Sequence, residues 1–125
     1  MTYPRRAPQV LLVLAIGLVP WTIWLSASLP RREVVHHWDL AWSGFDAALV
    51  VLLAATAVAL MRGHPVARLL TPVLAALLLC DAWFDIVTAP GGRDLWLALV
   101  LALCAELPVA AFCIWLTRHE HVVNA

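Results

Sequence analysis

With 125 residues, 64% of them hydrophobic and only 13% charged, and a mean hydropathy of +0.91, the chain has about half the charge of an ordinary soluble domain, which carries roughly 25%. It cannot clothe a water-facing surface, so soluble, disordered and fibrous classes are excluded and a single integral membrane domain is expected. Eight Arg, no Lys and eight acidic residues leave a formal net charge of zero, which provides no basic footprint for nucleic acid.

Four stretches have the about 20 apolar residues that a membrane helix requires. The first, 8–29, is longer than the roughly 7–15-residue apolar core of a removable signal peptide, so it is expected to remain as a helix, kinked at Pro20. The connection 30–40 carries Arg31, Arg32, Glu33, His36, His37 and Asp39 and is too polar for hydrocarbon. The second span, 41–61, ends at the turn Arg62-Gly63-His64-Pro65. The third, 66–89, ends at Pro90-Gly91-Gly92-Arg93, and the fourth, 94–117, contains Pro108 as a second expected kink. Short turns make the last three spans antiparallel neighbours. The expected fold is therefore an all-α integral membrane protein, a four-helix transmembrane bundle in up-down-up-down order over residues 1–125.

Arginine placement gives the orientation. Arg5, Arg6, Arg62, Arg68 and Arg118 fall on one side and Arg31, Arg32 and Arg93 on the other, which predicts both termini in the cytoplasm. The use of Arg without Lys, beside abundant Ala, Leu and Val, suggests a GC-rich bacterial source and hence the bacterial inner membrane. Trp21, Trp24, Trp38, Trp42, Trp96 and Trp115 lie near span ends, where indole prefers the interface. Cys80, Cys104 and Cys113 sit in apolar runs without CxxC spacing and read as small buried hydrophobes, not as a zinc or disulfide framework.

Four carboxylates lie inside the spans: Asp46, Asp81, Asp85 and Glu106. A charged side chain at a helix centre costs about 2.5–3.5 kcal/mol on insertion scales, and no Lys or Arg lies deep enough in any span to neutralise them. Asp81 and Asp85, spaced i and i+4, share a helix face. Glu106, twelve residues into its span, is expected about 18 Å down, near the midplane and beneath the aspartates. These four acids predict an outward-opening pocket for ions or protons. Its expected rim is His36, His37, Asp39, Trp42 and Trp83, with Trp38, Trp42 or Trp83 offering an indole N–H to a carboxylate.

The segments Trp38-Asp39-Leu40-Ala41-Trp42-Ser43-Gly44-Phe45-Asp46 and Asp81-Ala82-Trp83-Phe84-Asp85-Ile86-Val87-Thr88 each set an aromatic residue directly before an Asp. In this they resemble the acidic signatures of small bacterial four-span membrane proteins without assigned activity; the resemblance implies the fold and carries no functional residue with it. Small multidrug transporters share the length and span count but place a Glu in the first span, which is absent from this chain.

Three functional readings stay open on the sequence. Intramembrane acids without basic partners suit proton or cation handling. Asp46, Asp81 and Asp85 with His36 or His37 would suit a divalent metal, although the Glu-x-x-His pairs of di-iron bundles are absent. In an accessory subunit, the acids would be bound by Ser43, Thr88 or indole N–H groups, or by a membrane protein partner or second copy. Enzymatic catalysis has little support, since Ser26, Ser28 and Ser43 lack a surrounding motif and Gly91-Gly92 has no phosphate fingerprint. No organic cofactor is expected.

Overall fold

The computed structural model describes residues 6–31 and 33–123, and the regular structure among them is entirely helical. Its elements are α1 (Ala7–Ser28), α2 (Trp38–Met61), α3 (Ala67–Thr88), α4 (Gly92–Leu101), a π-helical turn (Ala102–Glu106) and α5 (Leu107–Val123). Four segments are long and apolar enough to cross a membrane: Pro8–Ser28, Trp38–Met61, Ala67–Thr88 and Gly92–His119. The protein is thus an all-α membrane protein with the expected number of spans. In α2 the helix starts three residues before the expected boundary and takes in Trp38 and Asp39. An acid in a first turn faces the positive end of the helix dipole, so a polar residue there supports the helix instead of delaying it.

The chain divides into two compact units, Met1–His36 and His37–Ala125. The first holds α1, an apolar helix with Pro20 inside it and no charged residue in its terminal turns. Its hydroxyls are satisfied within the helix: Thr22 Oγ1 donates to the Leu18 carbonyl at 2.8 Å and Ser26 Oγ to that of Ile23 at 2.9 Å. Internal pairing of this kind is what a hydrocarbon solvent demands. Trp21 and Trp24 pack as a tilted pair with ring centroids 5.3 Å apart.

In the second unit α3 is the central helix, packed on α2 along one side and on α4, the π turn and α5 along the other. The turn at Gly63, in the left-handed region at φ 60°, returns the chain from α2 to α3, and that at Gly91-Gly92 returns it from α3 to α4. All three long segments are therefore antiparallel to their neighbours. The core is small: Leu49 of α2, Leu74, Ala75 and Leu78 of α3, and Ala110 and Cys113 of α5. Along the seam on α3, the buried residues of α4, the π turn and α5 are Ala98, Ala102, Ala110 and Cys113. Between helices in lipid, association comes from close packing instead of water exclusion, and small residues permit the approach.

The π turn follows from that seam. Ala98, Ala102, Glu106 and Ala110 recur every four residues, and in a regular α-helix each such step drifts by about 40°. Over three steps the stripe would leave the α3 interface. One turn that takes an extra residue, with the Leu107 N–H bonded to the carbonyl of Ala102, absorbs much of the drift. Pro108 reinforces it, because it has no N–H to give to the carbonyl of Cys104. The irregularity near Pro108 is thus a π turn that ends two residues before the proline.

Candidate functional site

Asp81 and Asp85 stand one turn apart on α3, and Glu106 is the last residue of the π turn packed against them. One carboxylate oxygen from each lies within 4.8 Å of the other two. Counted along the chain, Glu106 stands further from the α3–α4 turn than Asp81 and Asp85 do, and the direction of the side chains brings the groups together. In a helix the Cα–Cβ bond tilts toward the N-terminus. The antiparallel run makes Asp81 and Asp85 lean away from the α3–α4 turn and Glu106 lean toward it. The side chains close the gap between the backbones, and the π turn keeps Glu106 on the α3-facing side.

An open groove of about 410 Å³ runs beside this group. Its walls include Asp46, Leu49 and Leu53 from α2, Leu78 and Asp81 from α3, and Ala105, Glu106 and Val109 from the fourth span. Asp81 and Glu106 therefore belong both to the carboxylate group and to the groove. Asp46 lines the groove but is exposed and stands outside the three-carboxylate group. Of the four acids expected in one pocket, Asp81, Asp85 and Glu106 cluster, and Asp46 shares the groove wall with Asp81 and Glu106.

Asp81 is 7% exposed, and its Oδ1 together with Oε2 of Glu106 is buried without a hydrogen-bond partner. A buried polar atom left without a partner costs about 1–3 kcal/mol, so these two atoms are the most conspicuous polar feature of the second unit. The hydroxyls that could have served them are turned elsewhere. Ser43 Oγ donates to the backbone carbonyl of Asp39 at 2.7 Å, and Thr88 Oγ1 to that of Phe84 at 2.7 Å. No indole or basic side chain bonds to the three acids among the described residues.

The expected rim is assembled only in part. Trp42 is half-buried and packs edge-on against Trp38, with centroids 5.6 Å apart. Trp83 is 65% exposed; two residues beyond Asp81 it sits about 200° around the helix and points away from the acids. Asp39 is exposed in the first turn of α2. His37 caps α2 in the left-handed region at φ 60° with its side chain exposed and making no cap bond. His36 belongs to the first unit and is exposed. Among the described residues no His or Cys joins the three acids, so the group offers oxygen ligands and could hold a metal ion.

Among the cysteines, Cys113 is buried in the core as expected, whereas Cys80 and Cys104 are exposed free thiols facing out of the unit. Sequence reasoning missed the π turn. The four-residue spacing of Ala98, Ala102, Glu106 and Ala110, ending two residues past Pro108, carries the signal. No protein family, curated protein or solved structure matches the chain.

Proposed function

We propose that this membrane protein binds a cation, the proton included, at Asp81, Asp85 and Glu106 and conducts it along the groove past Asp46. The observation that carries the reading is the pair of buried, unpartnered oxygens on Asp81 and Glu106 inside a group of three acids. The hydroxyls of Ser43 and Thr88, which could have joined the acids to their surroundings as interhelical glue, bond to their own backbone instead. In this reading the protein resides in a bacterial inner membrane with both termini cytoplasmic and the groove opening outward.

Flux in proteoliposomes tests it. The native chain is expected to pass protons or metal cations faster than empty vesicles, and Asp81→Asn and Asp85→Asn, at matched reconstitution, are each expected to reduce that flux by about tenfold or more, the scale on which loss of one well-placed group acts. Absence of flux from folded protein under every gradient would overturn the reading in favour of a partner-binding subunit.

Orientation is checked separately. In a background without Cys80, Cys104 and Cys113, an impermeant maleimide added outside intact cells is expected to label Arg93→Cys and to leave Arg62→Cys unlabelled until the membrane is opened. The reverse pattern would place the groove on the cytoplasmic side.

A further inference from the structure

We propose that the ligand of the carboxylate group is a hard divalent cation of the Mg²⁺, Mn²⁺ or Ca²⁺ class, held by one oxygen each from Asp81, Asp85 and Glu106. The inference rests on the cation-binding reading above and narrows it.

Ligand chemistry gives the first argument. The group is all carboxylate oxygen, the donor set of Mg²⁺, Mn²⁺ and Ca²⁺, and lacks the imidazole or thiolate that would favour zinc or copper. Geometry gives the second. Ca²⁺ binds oxygen at about 2.3–2.6 Å, so two oxygens on opposite sides of one ion stand about 4.6–5.2 Å apart. The three oxygens here already lie within 4.8 Å of one another, and one ion spans them without a rearrangement of the helices. Mg²⁺, with its shorter bonds of about 2.0–2.1 Å, needs a modest inward movement of the side chains.

Burial gives the third argument, independent of the clustering. Asp81 is more than nine-tenths buried, and its Oδ1 faces no donor. That atom has lost its water in the folded state without gaining a protein partner, and a bound cation supplies what is missing. Charge balance agrees. Three ionised carboxylates beside a monovalent ion would keep two uncompensated negative charges, and a divalent ion halves that excess. The groove leaves room for the water molecules that complete the shell of such ions, and Asp46 on its wall attracts the ion on its way in.

The test uses the full chain in detergent, stripped with chelator and titrated with Mn²⁺, whose free form is followed by electron paramagnetic resonance. A single Mn²⁺ per chain is expected, displaced by Mg²⁺ or Ca²⁺ and indifferent to Na⁺ at equal ionic strength. Removing even an outer-shell partner of a metal ligand weakens binding by about 10–100-fold, so Asp81→Asn, Asp85→Asn and Glu106→Gln are each expected to weaken Mn²⁺ binding by about tenfold or more. Asp46→Asn is expected to weaken it less, and Glu33→Gln and Asp94→Asn to leave it unchanged. Circular dichroism confirms that each variant is folded. Mn²⁺ uptake that the three variants share with the native chain would overturn the proposal. If the folded native chain takes up no Mn²⁺ while Asp81-dependent proton or monovalent flux persists, the divalent ligand is wrong and the cation-binding reading stands. If that flux is absent as well, both are wrong.

Discussion

Asp81→Asn is expected to stabilise the chelator-treated protein by about 1–2 kcal/mol and to abolish its stabilisation by divalent cations. Without a cation, Asp81 confronts Asp85 one turn away and Glu106 across the helix interface. Like charges at i and i+4 cost about 0.2–0.5 kcal/mol even on an exposed helix, and Asp81 is buried with Oδ1 unpartnered. An Asn of the same shape removes one charge and brings an N–H₂ donor that a neighbouring carboxylate can accept. Like-charge repulsion within the group is relieved, so the variant gains stability.

A bound divalent cation reverses the order. A ligand present at about 100 times its dissociation constant stabilises the native state by about 2.7 kcal/mol, and the native chain is expected to gain this while Asp81→Asn gains little. The measurement is unfolding in mixed micelles, followed by tryptophan fluorescence with chelator and then with Mn²⁺. The two proteins should exchange rank between the two conditions. A variant less stable than the native chain in chelator would show that Asp81 is held by interactions within the fold, and that its function is to join helices.

How far the sequence alone reaches can be judged from particular residues. The spans are legible because runs of about 20 apolar residues between Pro, Gly and Arg have few other solutions. The start of α2 is less so: Trp38 and Asp39 are polar enough to read as connection, yet an acid in a first turn is stabilised by the helix it begins. Asp81 and Asp85 are legible as a pair because i and i+4 must share a face. The same rule places Trp83 on the opposite side, although the repeated aromatic-acid pattern invited its assignment to the rim. Glu106 is legible as an acid in the wrong solvent, but its meeting with the aspartates is not, because counting the rise per residue ignores both the tilt of Cβ and the extra residue in the π turn. The unpartnered oxygens were beyond the sequence altogether. They depend on where Ser43 and Thr88 send their hydroxyls, and in each case the helix's own carbonyl lies within reach.

The site also depends on residues with no chemistry of their own. Ala102 and Ala110 are each 1% exposed and flank Glu106 on the face that meets α3. Close approach there has two consequences at once: it creates the packing that holds the unit together, since lipid offers no hydrophobic drive for helix association, and it brings the Glu106 carboxylate within reach of the aspartates. Ala102→Leu inserts three carbon atoms into a filled seam, and overpacking of this kind costs typically about 1–3 kcal/mol. Ala102→Leu and Ala110→Leu are each expected to lose that much in mixed-micelle unfolding. Ala111→Leu, on the exposed side of α5, is expected to change stability by less than about 0.5 kcal/mol. Mn²⁺ binding discriminates further. A leucine at Ala102 pushes the π turn off α3 and separates ligands that it does not touch, so affinity should fall together with stability, whereas Ala111→Leu leaves both intact. Native-like Mn²⁺ affinity in a destabilised Ala102→Leu protein would mean that the carboxylates find one another without the seam, and that the π turn serves packing alone.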